Sequence, residues 1–206
     1  MNSIHDLVLG THNVKKAEEL HGLLSPFGFR LTTLADHPSA IEVVEDGDSF
    51  AQNAALKASQ QATNLSRWVL GEDSGICVDA LKGEPGIYSA RFSGENATDE
   101  SNNELLLERL GSTPVEKRTA HYVSHIALSD PDGNIRLTEE AECYGRIRSE
   151  PIGINGFGYD PLFEIIELHQ TFGQLGPTFK SIISHRARAL RRFIPRLIEL
   201  ASEIHV

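Results

Sequence analysis

The chain has 206 residues, of which 40% are hydrophobic and 23% charged, and 29 acidic against 19 basic residues give a formal charge of −10. This length fits a single domain spanning residues 1–206, and the composition is ordinary for a globular enzyme or binding protein. The acidic balance argues against a nucleic-acid partner, because such proteins usually present a basic surface. It is still compatible with a small anionic ligand, since a few cations focused in one cleft are enough to bind one.

The N-terminal segment predicts neither export nor a membrane partner. Polar and basic residues such as His5 and Lys15 interrupt it before any apolar run reaches membrane-spanning length, so we expect no signal peptide and no anchor. Cys77 and Cys143 lie far apart and form no C-x-x-C pattern. We therefore expect reduced thiols and a cytoplasmic protein.

The first half of the chain alternates short apolar runs with helical patterns. A strand is predicted over residues 7–9, followed by a polar turn and a helix. A second helix is predicted over residues 49–65, with Ser49 as its N-cap. The apolar runs on either side of Glu72 and Asp73 indicate two strand ends that meet at a tight turn.

The second half begins with a helix predicted over residues 99–110. Residues 120–129 and 135–144 then alternate as strands do, and the Asp-Pro-Asp-Gly turn between them predicts a hairpin. Gly- and Pro-rich loops follow, and a last helix is predicted over residues 181–202, which Pro195 should kink or split. Long helices mixed with a hairpin indicate an α/β or α+β domain with a mixed sheet.

Two stretches of the first half could carry chemistry. The turn and helix start from Gly10 to Leu20 could bind a phosphate through backbone N–H groups and lysines, although a capped surface helix with solvated lysines explains them as well. The acids Glu72 and Asp73 lie between apolar runs, where a carboxylate needs a partner. Mg²⁺ bound with the help of Glu45 would be one such partner. A turn in which Asp73 caps backbone N–H groups is the alternative.

Two further candidates lie near the C-terminus. The stretch from Gly153 to Pro161 could bring backbone close to a ligand and offer Phe157 or Tyr159 for stacking, but a structural loop explains its glycines equally well. The stretch from Lys180 to Leu190 supplies donors near a helix start, or else a solvated basic face.

Six motifs, in this order, resemble those of the inosine/xanthosine triphosphate pyrophosphatase family. They are T-x-N-x-x-K from Thr11, F-x-x-N-A-x-x-K-A from Phe50, E-D-S-G from Glu72, PGIYSARFSG from Pro85, GFGYDP from Gly156 and K-x-x-I-S-H-R from Lys180. The resemblance implies an elongated mixed β-sheet flanked by helices, two lobes with a central nucleotide-binding cleft, and a homodimer. It also implies Mg²⁺-dependent hydrolysis of ITP, dITP or XTP to the monophosphate and pyrophosphate.

The resemblance also assigns roles to residues. Asp73 is the expected catalytic base, and it is the expected metal ligand together with Glu45. The expected triphosphate contacts are Thr11, Asn13, Lys16 and Lys57, and further substrate contacts are expected in the same loop at His12, Val14 and Lys15. The other expected substrate contacts, most of them on the wall that binds the base, are Ser74, Phe157, Gly158, Tyr159, Asp160, Lys180, His185 and Arg186.

Five positions depart from the family pattern. They are His12 and Lys15 in the phosphate loop, Gln52 in the helix motif, and Gln174 and Phe179 near the end. These departures keep two alternatives open: a nucleotide sensor without turnover, and a related hydrolase with a shifted base preference.

Overall fold

The computed structural model describes residues 3–204. Its strands are β1 Asp6–Leu9, β2 Arg30–Thr33, β3 Trp68–Val78, β4 Thr119–Ser129, β5 Ile135–Ile147, β6 Phe163–Ile165 and β7 Gln170–Thr171. Its α-helices are α1 Val14–Leu24, α2 Phe50–Leu65, α3 Asp99–Leu110, α4 Pro177–Ile183 and α5 His185–Ile204. None of these helices is both long and apolar enough to cross a membrane, as far as the described residues go.

The strands form one seven-stranded sheet in the order β2-β1-β3-β4-β5-β6-β7. Strand β1 pairs in parallel with β2 and β3, whereas β6 pairs antiparallel with β5 and β7. The sheet is therefore mixed, and helices lie between several of its strands along the chain. This confirms the expected α/β class.

The chain divides into two compact units. Unit 1 comprises the described residues up to Asp73, Ser124–Ala141 and the residues from Arg186 onward, and unit 2 comprises Ser74–Val123 and Glu142–His185. Strands β3, β4 and β5 each contribute residues to both units. The division cuts the chain between Asp73 and Ser74 and between His185 and Arg186, so two pairs of adjacent predicted site residues are split between the units.

The core of unit 1 is built by the alternation of side chains along its strands. Trp68 and Leu70 of β3 pack with Leu7 and Leu9 of β1 in a cluster that includes the apolar faces of α1 and α5. The intervening Val69 packs instead with Val8 and with Ala62 of α2. Successive strand residues point to opposite sides of a sheet, so β3 offers one face to α1 and α5 and the other to α2.

The core of unit 2 is rich in aromatic residues. Tyr122 lies edge-on to Phe163, with ring centroids 4.7 Å apart, and Phe163 stacks on Phe172 at 5.5 Å. Leu106 and Leu110 of α3 pack into the same cluster. Helix α3 is thereby fixed against the strands of its own unit.

Several boundaries differ from those predicted. The turn predicted around Glu72 and Asp73 is wrong, because β3 runs unbroken through both residues. The last helix is interrupted at Ser184, where a ψ of 160° breaks the helical path, whereas Pro195 lies inside α5. The hairpin is confirmed, although β5 extends to Ile147, and α2 begins after its predicted N-cap Ser49.

Candidate functional site

Strand β3 places the adjacent acids Glu72 and Asp73 on opposite faces of the sheet. Glu72 follows Trp68 and Leu70 in the alternation and so faces the side of α1 and α5, whereas Asp73 follows Val69 and faces α2. Both are buried, with exposed fractions of 0% and 5%. Each acid therefore has its own set of partners.

Gly71 allows α2 to approach β3 closely. A Cβ at this position would lie 2.4 Å from the carbonyl oxygen of Ala54 and 2.7 Å from the nitrogen of Ala58, both in the backbone of α2. No other residue type fits this distance without moving the helix. The close approach brings Lys57, one residue before Ala58, next to Asp73.

Glu45, Lys57 and Asp73 form what we call the lysine–carboxylate cluster. The Lys57 ammonium donates to Asp73 Oδ1 at 2.8 Å and lies 2.9 Å from Glu45 Oε2. The buried Asn53, one helical turn before Lys57, lies 3.4 Å from Asp73 Oδ2. The structure thus brings together three residues predicted for the site, and it adds Asn53, which occurs in the second quoted motif but received no role there.

Burial sets the protonation behaviour of the cluster. It raises the pKa of the Asp73 carboxyl, and the nearby ammonium groups of Lys57 and Lys16 offset this only in part. An aspartate with a raised pKa suits the role of a general base, since its affinity for protons lies closer to neutral pH.

The cluster also has the donor chemistry that Mg²⁺ requires. Carboxylate oxygens of Asp73 and Glu45 converge on one cationic position, which the Lys57 ammonium takes here. Mg²⁺ is usually held by one or two carboxylates, with phosphate oxygens and water completing its shell. Within residues 3–204 no group of three or more His, Cys, Asp or Glu side chains could hold a metal on its own. The residues present thus fit a metal that arrives with a phosphate-bearing substrate.

Glu72 is the centre of a second group, which we call the Glu72 network. Its carboxylate accepts from Arg186 Nη2 at 2.9 Å and from Ser124 Oγ at 2.9 Å, and it lies 3.2 Å from the Lys16 ammonium. The Arg186 guanidinium also donates to Glu19. Arg186 is only 1% exposed, so its predicted contact with the base stays a prediction, and its position is fixed by these two carboxylates. No motif pointed to Glu19 or Ser124.

The predicted phosphate loop forms the start of α1. Asn13 caps the helix by accepting from the Lys16 backbone N–H at 3.1 Å, and the Thr11 hydroxyl accepts from the Asn13 N–H at 3.2 Å. His12, Val14 and Lys15 are exposed. The strand, polar turn and helix predicted here are confirmed, whereas phosphate binding stays a prediction.

In unit 2, Asp160 organises the Gly-rich loop, by which we mean residues 156–160. Its carboxylate accepts from the Phe157 backbone N–H at 2.8 Å, from Lys180 Nζ at 2.6 Å and from the Tyr122 hydroxyl at 3.4 Å. Gly156 has a φ of +77°, and a Cβ there would lie 2.0 Å from Asp160 Oδ2. The loop conformation thus depends on glycine at residue 156 and on a carboxylate at residue 160.

The two aromatic rings of this loop have different environments. Tyr159 is buried, and its hydroxyl donates to the carbonyl of Ser89 at 2.8 Å. Phe157 is half-buried, and Lys180 Nζ lies 4.2 Å from its ring centroid. Phe157 is therefore the ring that a ligand could reach for stacking. The Tyr159 ring is instead a buried anchor of the loop, through its packing and its hydrogen bond to Ser89.

The remaining predicted residues of unit 2 are Ser74 and His185. His185 is buried and stacks on Tyr122, with centroids 4.6 Å apart and an interplanar angle of 10°. Ser74 is half-buried in β3, directly after Asp73. His185 thus stacks on the same tyrosine whose hydroxyl donates to Asp160, and all three residues lie within unit 2.

Known proteins resemble this chain over almost its full length. The sequence matches the Ham1 family over residues 7–196. It is 56% identical to a dITP/XTP pyrophosphatase of Rhodopirellula baltica over 97% of this chain and 96% of that protein. It is also 46% identical to a dITP/XTP pyrophosphatase of an Exiguobacterium species, over 93% of this chain and 96% of that protein.

Solved structures support the same likeness. A HAM1 protein from Coxiella burnetii superposes with a TM-score of 0.86 at 33% identity, covering 94% of this chain and 98% of that one. A nucleoside-triphosphatase, or dITP/XTP pyrophosphatase, from Mycobacterium abscessus has a TM-score of 0.74 at 39% identity, covering 93% of this chain and 99% of that one.

Proposed function

This chain belongs to the Ham1 family, and we propose that it is a dITP/XTP pyrophosphatase that converts dITP, ITP and XTP to the monophosphate and pyrophosphate. The observation that carries the proposal is the lysine–carboxylate cluster, in which a buried aspartate lies between a lysine and a second carboxylate. The relatives named dITP/XTP pyrophosphatase support the choice of substrate. The enzyme class is thus a hydrolase of nucleoside triphosphates, which serves nucleotide metabolism.

The phosphates of the substrate are assigned to unit 1. The start of α1, from Thr11 to Lys16, offers backbone N–H groups and two ammonium groups, and Lys57 adds a third. Asp73 and Glu45 would hold Mg²⁺, which would supply charge neutralisation for the phosphate oxygens. Lys57 would then leave the carboxylates and pair with phosphate. Asp73 orients a water molecule and accepts its proton, a task that its raised pKa supports.

The base of the substrate is assigned to the Gly-rich loop of unit 2, and the contact of Arg186 with the base stays a prediction. Phe157 offers the face on which a purine stacks, and the Lys180 ammonium beside it can donate but not accept hydrogen bonds. Hypoxanthine and xanthine carry an oxygen acceptor at position 6, whereas adenine carries an amino donor. Adenine would therefore leave a donor facing a donor, and sites of this kind reject the unmatched analogue by roughly 10⁴-fold.

The test compares kcat/KM for dITP, ITP, XTP, GTP and ATP in the presence of Mg²⁺, with pyrophosphate release as the signal. We expect ITP, dITP and XTP to exceed ATP strongly, with GTP the harder substrate to reject because it shares the 6-oxo group. Equal efficiency for ITP and ATP would refute this account of the base. Tight binding of ITP without pyrophosphate release would favour the alternative, a nucleotide sensor.

Three further expectations belong to the same proposal. The matched family region, residues 7–196, supports one functional domain, and the two-lobed arrangement with a central cleft stays a prediction. A homodimer is proposed because isologous pairing is the commonest oligomeric arrangement. Sedimentation that finds only a 22.7 kDa species at micromolar concentration would refute it. We also propose a cytoplasmic location, in keeping with two cysteines that lie far apart in sequence and form no C-x-x-C pattern.

A further inference from the structure

Helix α3 holds one residue of the Gly-rich loop, Gly158, by both of its backbone polar groups. The backbone N–H of Gly158 donates to Asp99 Oδ2 at 2.9 Å, and Asn103 Nδ2 donates to the Gly158 carbonyl at 3.0 Å. Asp99 and Asn103 are four residues apart, so their side chains lie on the same face of the helix. Both polar groups of Gly158 are thereby bonded to a single helical surface.

Gly158 lies between the residues whose positions matter most in this loop. Phe157, the ring available for stacking, precedes it, and the buried Tyr159 follows it. The Asp160 carboxylate fixes the loop from the other side through the Phe157 N–H and Lys180. The two peptide groups on either side of Gly158, between the two aromatic residues, therefore depend on α3 for their orientation.

A role in capping does not account for Asp99. The N-cap of α3 is Thr98, whose hydroxyl accepts from the Ser101 N–H at 3.1 Å while the Ser101 hydroxyl accepts from the Thr98 N–H at 2.9 Å. The favourable charge at the helix N-terminus is also supplied by Glu100, which is exposed. What Asp99 has and Glu100 lacks is the bond to Gly158.

We propose that Asp99 and Asn103 are positioning residues for nucleobase recognition. They act by fixing the backbone N–H and carbonyl groups of Gly158 and, through this residue, the Phe157 ring. This rests on the proposed function, in which Phe157 stacks on the base. The substrate's phosphates are bound in unit 1 by other residues. Loss of the α3 contacts should therefore weaken base-dependent binding and leave phosphate binding unchanged.

The first experiment compares Asp99→Ala, Asp99→Asn and Glu100→Ala. Asp99→Ala removes the acceptor of the Gly158 N–H, and we expect KM for ITP to rise about tenfold, with kcat at saturation within about threefold of wild type. Asp99→Asn keeps an amide oxygen that can accept, so most of the loss should be recovered. Glu100→Ala removes the same charge from the same helical turn and should leave KM for ITP near that of wild type.

The second experiment measures direct binding of ITP and of inorganic tripolyphosphate by calorimetry. Tripolyphosphate has no base, so its Kd should be equal in wild type and Asp99→Ala, whereas the Kd for ITP should rise. Asn103→Ala, with the exposed neighbour Glu104→Ala as its control, should act in the same direction. The double variant of Asp99 and Asn103 should lose less than the product of the single losses, because both side chains fix the backbone of the same residue, Gly158.

Two outcomes would overturn the inference. One is an unchanged Kd for ITP in both Asp99→Ala and Asn103→Ala, and the other is an equal loss for ITP and tripolyphosphate, which would indicate a general structural effect. Should Asp99→Ala not fold, Asn103→Ala carries the same test. Failure of the proposed function differs from both, because it would appear in the wild type as equal handling of ITP and ATP, whatever the variants do.

Discussion

The lysine–carboxylate cluster of unit 1 and the Gly-rich loop of unit 2 are built in contrasting ways. In the cluster, charged side chains from a strand and a helix face one another, as Asp73 of β3 and Lys57 of α2 do at 2.8 Å. In the loop, side chains hold backbone groups: Asp160, within the loop, accepts from the Phe157 N–H, and Asp99 of α3 accepts from the Gly158 N–H. The first arrangement presents charge, and the second presents a surface of defined shape.

This difference matches the two demands of the proposed reaction. Phosphoryl chemistry requires charge neutralisation and a positioned water molecule, which regular elements can supply with little movement. Recognition of a base requires a ring and hydrogen-bonding groups at fixed places. Removal of charge in unit 1 should therefore lower kcat, whereas loss of support for the loop in unit 2 should raise KM.

The largest expected effect is that of Asp73→Asn. The amide keeps the shape of the side chain but removes the base and a metal ligand, so we expect kcat to fall by about 10³-fold or more, with KM for ITP changed little. The melting temperature should stay within a few degrees of wild type. Steady-state kinetics with pyrophosphate detection measure kcat and KM, and scanning calorimetry measures the melting temperature.

The control for Asp73→Asn is Asp48→Asn, which makes the same chemical change at an exposed position. It should keep wild-type kinetics. An Asp73→Asn variant whose kcat lies within a few-fold of wild type would eliminate Asp73 as the base.

Asp160→Asn is the counterpart in unit 2 and should show the opposite kinetic pattern. It leaves the buried Lys180 ammonium without its carboxylate, and breaking such a pair costs about 3 kcal/mol of unfolding free energy. We expect KM for ITP to rise roughly tenfold or more, with a smaller change in kcat. Urea unfolding and steady-state kinetics measure the two effects. A fall in kcat with KM unchanged would break the contrast between the two regions.

The parts of both regions that could be predicted from the sequence are those with a local signal. The helix of residues 49–65 and the lysine within it follow from a periodic pattern, and so does the hairpin. The Glu72 network had no such signal, because Arg186 is 114 residues and Ser124 is 52 residues from Glu72. The edge strands β2 and β7 and the strand β6 next to β7 have two to four residues each, too short for alternation to be recognised.

The turn predicted at Glu72 and Asp73 failed for a related reason. Glycine and serine next to two acids are typical of a turn when only neighbours in sequence are considered. In the structure, Gly71 is required by the backbone of α2, and the acids are compensated by lysines and an arginine from other elements. Such compensation is visible only after the chain has folded.

Lys16 and Lys15 form a matched pair for the phosphate end of unit 1. Lys16 is mostly buried beside Glu72, whereas Lys15 is exposed one residue earlier. We expect Lys16→Ala to weaken tripolyphosphate binding by about tenfold, because the ammonium would pair with phosphate, and the wild-type affinity itself should fall with added salt. Lys15→Ala should have a clearly smaller effect. Equal effects of the two substitutions would mean that the orientation imposed by Glu72 is irrelevant to phosphate binding.

The smallest expected effect concerns the pH dependence of kcat/KM. On its acid side, the fall in kcat/KM, which is the acid limb of the profile, should occur at a higher pH than the ordinary pKa of an aspartate. Burial raises the pKa of Asp73 above its ordinary value of 3.8, so the carboxyl takes up a proton at a higher pH than a free aspartate does. Since the base must be ionised, kcat/KM should fall as the pH drops through this raised pKa, and the midpoint should lie above 3.8. Mg²⁺ and the proton compete for the same carboxylate, so a higher Mg²⁺ concentration should move the limb to lower pH. Asp160→Asn, which alters only the loop, should leave its position unchanged. An acid limb that moves in Asp160→Asn would assign the titrating group to unit 2 and remove the chemical distinction between the two regions. A limb that does not respond to Mg²⁺ would show that the titrating group is not a metal ligand.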